Sequence, residues 1–146
     1  MAHQENVEAL IREIRVASER LEAAADELEA DLGVTTAMRG VLETLSAGRV
    51  VPVPQIAREH SVSRQHIQLL VNRLRARRLC VLRTNPAHAR SPLVELTPKG
   101  AAVVETLREC EESLARELGG MLTLDVPAAL AVLKRLNAAL ARRISG

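Results

Sequence analysis

The stretch from Pro54 to Arg83 decides the fold, and it reads PQIAREHSVSRQHIQLLVNRLRARRLCVLR. Pro54 suits the first turn of a short helix that continues from Gln55 to His60. The residues Ser61-Val62-Ser63 form a tight turn, and the Ser63 side chain is placed to cap a second helix. Two short helices joined by such a turn predict a helix-turn-helix unit.

The second helix of this unit separates apolar from polar side chains. Its apolar residues recur at three- and four-residue steps, and they are Ile67, Leu70, Val71 and Leu74. Two strands are expected next, at residues 79–83 and 93–96, around a turn-rich basic tip. A helix-turn-helix followed by a basic hairpin is a winged helix-turn-helix, whose second helix is sized for the major groove of B-DNA.

The segment between Arg49 and Arg90 is strongly basic, with nine arginines against one acidic residue, Glu59. Residues 1–48 hold ten Asp or Glu and four Arg, and residues 91–146 hold seven charges of each sign. The net charge of +2 for the whole chain is therefore small only because the acidic N-terminal segment offsets the basic central one. Basic charge gathered on one element is typical of nucleic-acid binding, because neutralising phosphates releases counterions. A solvated arginine-rich face explains the charge alone equally well. The order of helices and strands favours nucleic acid.

The segments that flank this block predict long helices. One amphipathic helix is expected over about residues 5–31, and two more are expected after capping residues at Thr97 and Asp125. A further helix before the basic block is expected to begin after a cap at Thr35 or Thr36. The helix after Thr97 is predicted to end at Gly119-Gly120. The apolar stripes of these helices suit packing against a second chain, although an intramolecular bundle would also use them.

The composition narrows the class of protein and of partner. The 146 residues include no Phe, Tyr or Trp, so Leu, Val, Ile and Ala must build the core. Because Leu and Ala favour helix, a mostly helical protein is predicted, and its length suits a single domain. The lack of aromatic side chains argues against base stacking, and therefore against single-stranded nucleic acid as partner, which leaves duplex DNA. No apolar run reaches membrane-spanning length and no signal peptide is recognisable, so a cytoplasmic location without a membrane partner is expected.

The residue types that carry catalysis or bind metals show no functional spacing. No metal-ligand pattern relates the two cysteines, Cys80 and Cys110, to the histidines, which are His3, His60, His66 and His88. Both cysteines are expected to be buried as small hydrophobic residues. Nucleophile–base pairs, phosphate-binding glycine loops and catalytic carboxylate pairs are not recognisable, so neither an enzyme nor a cofactor is expected.

Several motifs mark the winged unit more specifically. The helix-turn-helix carries Gln55-Ile56-Ala57 and then Val62-Ser63-Arg64, and the wing carries Asn85-Pro86-Ala87-His88-Ala89-Arg90. The wing closes on Leu96-Thr97-Pro98-Lys99-Gly100, and this leucine-threonine-x-x-glycine exit is, with the wing, the most specific feature. In these motifs, and over essentially its whole length, the sequence resembles the MarR family of bacterial transcription regulators.

The resemblance implies a homodimer in which the N-terminal helix and the last two helices intertwine. Residues 1–34 and 97–146 would form this helical dimerisation region, and residues 35–96 the winged lobe, with a small β-hairpin wing. The resemblance further implies binding to a near-palindromic operator and repression relieved by a small-molecule effector of unknown identity.

Four positions depart from the family pattern. Ala89 replaces a second arginine that is common in the wing. His88 replaces an acidic residue that usually braces the wing arginine, and Arg78 replaces a frequent turn glycine. Leu69 replaces a polar or basic residue on the recognition helix. These departures affect the operator sequence and the rigidity of the wing more than DNA binding itself.

The predicted DNA-binding residues are Ser63, Arg64, Gln65, His66, Gln68, Arg83 and Arg90. Gln65, His66 and Gln68 occupy the exposed early part of the recognition helix, which favours base contacts over simple exposure. Arg64 suits a phosphate contact or plain solvent exposure equally, whereas Arg90 at the wing tip has no evident role in the core. Arg73, nearer the buried stripe, is expected to pair with Glu59 or another acid.

Two other functions compete with a DNA-binding regulator. In one, the basic lobe of a winged-helix protein contacts another protein and has no operator of its own; the apolar Leu69 and Ala89 are consistent with this alternative. In the other, the chain is a helical structural dimer, which leaves the hairpin and its arginines unexplained.

Overall fold

The computed structural model describes residues 1–146 as six helices and three short strands. The helices are α1 (Ala2–Leu32), α2 (Thr36–Thr44), α3 (Val53–His60), α4 (Arg64–Ala76), α5 (Pro98–Met121) and α6 (Val126–Ser145). The strands are β1 (Val51–Pro52), β2 (Cys80–Arg83) and β3 (Leu93–Leu96). The predicted winged helix-turn-helix with long terminal helices is confirmed. None of the helices combines the length and the apolar composition needed to cross a membrane.

The wing is part of a three-stranded antiparallel sheet with the strand order β1-β3-β2. In the central strand, Val94 lies opposite Val51 on one side and Leu82 on the other. Val94 is completely buried, so the base of the wing is anchored in the core. The short strand β1 ties this base to the segment between α2 and α3, which fixes the wing relative to the helix-turn-helix.

The core is purely aliphatic apart from Met38 and Cys80, and it lies between Val34 and Leu107. Among its largest fully buried side chains are Leu42, Leu45, Ile56, Ile67, Leu74, Leu79 and Leu107. Most of the length of α1 and all of α6 lie outside this core, and α6 has no buried residue. The core therefore belongs mainly to the winged lobe and extends to Val103 and Leu107 in the first half of α5, whereas the rest of the terminal helices leaves much of its apolar surface uncovered.

The helix starts follow the predicted caps. The side chains of Thr35, Ser63, Thr97 and Asp125 each accept a hydrogen bond from a backbone N–H in the first turn of the following helix. One predicted end is wrong, because α5 continues through Gly119 and Gly120 to Met121. Neither glycine has a positive φ, and the Leu122 N–H still bonds to the Leu118 carbonyl at 2.9 Å.

The exit of the wing is locked to the end of α4 by a close backbone approach. The Thr97 N–H donates to the Leu79 carbonyl at 3.1 Å, and the Thr97 hydroxyl donates to the Arg78 carbonyl at 2.6 Å. A Cβ atom at Gly100 would lie 2.0 Å from the Leu79 carbonyl oxygen. Only glycine fits there, which gives the leucine-threonine-x-x-glycine motif its physical reason.

We predict that Gly100→Ala lowers the free energy of unfolding by ~3 kcal/mol, because the added methyl group overlaps a backbone oxygen that cannot move without shifting β2. Urea unfolding followed by circular dichroism measures the change. Gly120→Ala is the matched control, since nothing lies within 4 Å of its Cβ position. In an exposed helix this control should raise stability by about 0.5–1 kcal/mol. Equal stability of the two variants would contradict the steric explanation.

Candidate nucleic-acid interface

The turn between α3 and α4 sets the direction of the second helix. Ser61 adopts a left-handed conformation with φ of 55°, and the Val62 N–H donates to the Ala57 carbonyl at 3.1 Å. The Ser63 hydroxyl then accepts from the His66 N–H at 3.1 Å and caps α4. The structure therefore assigns Ser63, one of the seven predicted DNA-binding residues, a role in starting the recognition helix.

The helix α4 buries one face and exposes the other. Ile67, Leu70, Val71 and Leu74 are buried as predicted. The exposed face carries Arg64, Gln65, His66, Gln68, Leu69, Asn72, Arg73 and Arg75. The Gln68 Nε2 donates to the Asn72 Oδ1 at 2.9 Å. This bond orients both side-chain amides and leaves the Gln68 Oε1, the second Gln68 N–H and both N–H groups of the Asn72 amide free to meet another molecule.

Four of the predicted residues meet in one cleft between α4 and the wing. Arg64, Gln65 and Gln68 line it from the helix, and Arg90 lines it from the wing. The cleft has a volume of about 330 Å³, and its remaining lining residues are Val53, Pro54, Leu82, Ser91 and Pro92. Two guanidinium groups beside two amides can bind phosphate and read hydrogen-bonding groups at the same place. His66 and Arg83 are exposed but do not line this cleft.

The wing loop is organised around Asn85, which is buried although it lies in a loop. Its Nδ2 donates to the Ser91 carbonyl at 2.9 Å, and its Oδ1 accepts from the Ala87 N–H at 3.1 Å. These bonds close the loop that carries Arg90. The loop is therefore held by an amide at its start, without the acidic residue that His88 replaces.

The arginines of the basic block are mostly without acidic partners. Arg49 pairs with Glu59 at 2.6 Å, and Arg83 pairs with Glu95 across the hairpin at 2.6 Å. The other seven of the nine have no carboxylate within 4.0 Å, and they are Arg58, Arg64, Arg73, Arg75, Arg77, Arg78 and Arg90. The expected pairing of Arg73 is wrong, because Glu59 at the end of α3 lies beside Arg49 instead. The lobe therefore presents a largely uncompensated positive surface.

Solved structures with the same arrangement belong to MarR-type regulators. The MarR family transcription regulator SP03579 has a TM-score of 0.75 and 26% identity, with 99% of this chain and 96% of that chain covered. A mutant of MarR from E. coli complexed with operator DNA has a TM-score of 0.74 and 25% identity, with 89% of this chain and 94% of that chain covered. The regulator SlyA shares the fold at a TM-score of 0.81 and 18% identity, with 93% and 96% covered. This chain therefore has the winged-helix fold of these regulators, and it is similar to the MarR-type proteins over most of its length.

Sequence comparison extends over a shorter part of the molecule. An uncharacterised protein of Mycobacterium tuberculosis is 39% identical over 74 residues, which are 51% of this chain and 52% of that protein. A protein of Mycobacterium bovis matches with the same values. The chain thus spans about half the length of the curated relatives that it matches. No family model matches the sequence.

The structure contains an ionic junction that the sequence did not reveal. Glu29, near the end of α1, is 3% exposed; it accepts from the Thr36 hydroxyl at 2.9 Å and lies 3.7 Å from the Arg39 guanidinium. Arg39 also contacts Glu43 at 2.7 Å and Glu111 of α5 at 3.3 Å. One arginine of α2 therefore connects the lobe to both α1 and α5. Nothing local in the sequence distinguishes Glu29 from the exposed acids of α1.

The two cysteines differ in environment. Cys80 is buried as expected, and burial raises the pKa of its thiol to about 11, although the charge of Arg75 lowers it. The thiol is therefore protonated and poorly reactive at neutral pH. The expected burial of Cys110 is wrong in the single chain, because Cys110 is exposed beside the groove between α1 and α5. Its position on α5 faces away from the core.

We predict that Ser63→Ala lowers the free energy of unfolding by about 1 kcal/mol, because the His66 N–H loses its capping partner. Thermal or urea unfolding measures the effect, and Ser63→Asn should restore most of it, since Asn is also a strong capping residue. Ser113→Ala, at an exposed position inside α5, is the control and should leave stability unchanged or slightly higher. A loss that is the same for Ser63→Ala and Ser63→Asn would refute capping as the cause.

Proposed function

We propose that this chain is a homodimeric DNA-binding transcription regulator, a ligand-responsive repressor that binds a near-palindromic operator in duplex DNA and has no enzymatic activity. One observation carries the proposal: Arg64, Gln65, Gln68 and Arg90 line a single cleft between the recognition helix and the wing. The similarity to MarR from E. coli, whose structure includes operator DNA, supports the same use of this surface.

In the proposed complex, α4 enters the major groove. Gln65 and Gln68 suit bidentate contacts to adenine, and His66 lies on the same exposed part of the helix. Arg64 and Arg90 flank the cleft and suit phosphate or minor-groove contacts. Arg83 contributes less charge than its sequence position suggests, because Glu95 compensates it at 2.6 Å. Ser63 acts through the cap that positions the first turn of α4.

The proposed dimer uses the helices that the core leaves uncovered, residues 1–34 and 97–146. In α6, Leu130 is 49% exposed, Leu140 is 45% exposed and Ile144 is 62% exposed. The apolar stripe of α1 is also open, with Leu21 at 53%. So much aliphatic surface favours burial against a second copy, and obligate interfaces of this kind bury on the order of 2,000 Å² or more. Two lobes related by a two-fold axis would read a near-palindromic operator.

The proposed response to a small molecule uses the junction between these helices and the winged lobe, residues 35–96. A groove of about 370 Å³ lies between α1, α2 and α5, with Leu21, Arg39, Cys110 and Leu114 among its lining residues. Its size is within the usual range for small ligands. Arg39 connects all three helices there, so a molecule that disturbs its ion pairs would shift α1 relative to the lobe and to α5, which the Gly100–Leu79 contact holds together.

We predict that DNA affinity falls steeply with salt, with a slope of about −0.9 for each phosphate contact. Arg90→Ala should weaken binding to all sequences similarly and make the slope smaller by about one unit per lobe if Arg90 contacts phosphate. Gln68→Ala should instead cost roughly 1–3 kcal/mol on the preferred operator and relax specificity. Fluorescence anisotropy from low to moderate salt, on a selected operator and on random duplex, measures both effects.

Arg12→Ala is the control for the loss of one positive charge, because Arg12 lies on α1 outside the lobe and should leave the slope unchanged. A flat salt dependence of the parent protein would overturn the proposed DNA binding. Parent-like affinity of both Arg90→Ala and Gln68→Ala would mean that another face of the lobe meets DNA.

We predict that Leu140→Arg converts the dimer to a monomer, because it places charge on an apolar face that should be buried between two copies. Sedimentation velocity at micromolar concentration measures the change. Val62→Arg is the matched control, since Val62 is similarly exposed, at 41%, but belongs to the turn before α4. A parent protein that sediments as a stable monomer would contradict the proposed assembly.

A further inference from the structure

An apolar side chain stands at the centre of the exposed face of the recognition helix. Leu69 is 48% exposed, whereas the next residue, Leu70, is 4% exposed and belongs to the core. Around Leu69, at one-turn spacing, lie Gln65 before it and Asn72 and Arg73 after it. Because α4 buries a complete stripe on its other face, Leu69 lies outside the core, and about half of it is exposed to solvent.

The surroundings of Leu69 restrict the kind of partner that fits it. Its neighbours on this face are amides, arginines and His66, and none of Arg64, Arg73 and Arg75 has an acidic partner. An apolar protein surface docked on Leu69 would have to desolvate these charges without compensation. Duplex DNA can accommodate both the exposed apolar side chain and the unpaired arginines. Its phosphates compensate the arginines, and the floor of the major groove offers one apolar group, the 5-methyl of thymine.

We propose that Leu69 determines operator specificity by packing on the 5-methyl group of a thymine in each half-site. The inference rests on the proposed function and adds to it the identity of one base. The flanking Gln65 and Gln68 amides suit adenine. The recognition helix is therefore specialised for A·T pairs by two different chemistries, hydrogen bonding by the amides and apolar contact by Leu69. The same contact disfavours RNA, in which uracil lacks the methyl group.

The test removes the methyl group and nothing else. The preferred operator is first selected from a random duplex library with the full-length parent protein. Each thymine is then replaced in turn by deoxyuridine, in both half-sites together, and affinity is measured by fluorescence anisotropy. One symmetric pair of replacements should weaken binding by about four-fold per half-site, or about sixteen-fold together, since burying a methyl-sized group is worth ~0.8 kcal/mol.

Leu69→Ala should lose this sensitivity, so that parent and deoxyuridine operators bind it equally. The variant is expected to fold, because Leu69 is outside the core and Ala favours helix. Gln68→Ala is the matched control on the neighbouring position, and it should keep the penalty for the same thymine while binding more weakly.

The outcomes separate this inference from the function on which it rests. Absence of duplex binding by the parent at low salt would overturn both. Specific binding without any methyl-sensitive thymine, or a penalty that persists in Leu69→Ala, would overturn the role of Leu69 and leave the regulator intact. If Leu69→Ala bound the selected operator as tightly as the parent protein, the role of Leu69 would likewise be overturned and the regulator would stand.

Discussion

The close approach of Gly100 to the Leu79 carbonyl fixes the relative positions of the recognition helix, the wing and α5. Leu79 follows the recognition helix and precedes β2, while Gly100 lies in the first turn of α5. Because a Cβ atom at residue 100 would lie 2.0 Å from the Leu79 oxygen, the two backbones are in direct contact. The hydrogen bonds of Thr97 to Arg78 and Leu79 strengthen the same junction. The recognition helix, the wing and the long helix α5 therefore keep one fixed relation.

The lobe separates two kinds of surface, and each depends on this fixed frame. Its aliphatic core is closed, and its buried polar side chains all have hydrogen-bond partners. Its arginines, in contrast, are mostly left without carboxylates, so the positive field is available to another molecule. Such a surface is costly through self-repulsion and suits a polyanion that supplies the missing charge. The cleft between α4 and the wing places hydrogen-bonding amides within this field.

In the terminal helices it is the apolar surface, and not the charge, that lacks a partner. Their charges are largely satisfied or solvated, whereas their aliphatic stripes are open, and α6 buries nothing in the single chain. Leu28 and Leu32 of α1 and Val103 and Leu107 of α5 pack on the core, and Arg39 adds an ionic contact, because its guanidinium meets carboxylates of α1, α2 and α5. The Arg39 ion pairs thus add a polar connection to the apolar packing that joins α1 and α5 to the lobe.

The sequence by itself determined the order of helices and strands, the caps at Ser63, Thr97 and Asp125, and the buried stripe of α4. It left Thr35 and Thr36 as alternative caps of α2, and the structure selects Thr35. These features depend on residues close together in the chain, so periodicity and capping chemistry predict them. The family resemblance anticipated that Gly100 would be required, but only the structure supplied the steric reason.

Only the tertiary structure decided which distant residues meet. Glu59 pairs with Arg49 instead of Arg73, Glu29 is buried beside Arg39, and Cys110 is exposed although an apolar environment was expected. It also brought Arg64 and Arg90 to opposite sides of one cleft. Ion pairs and clefts depend on distances between packed elements, and those distances are set by how the core closes, not by any spacing along the chain.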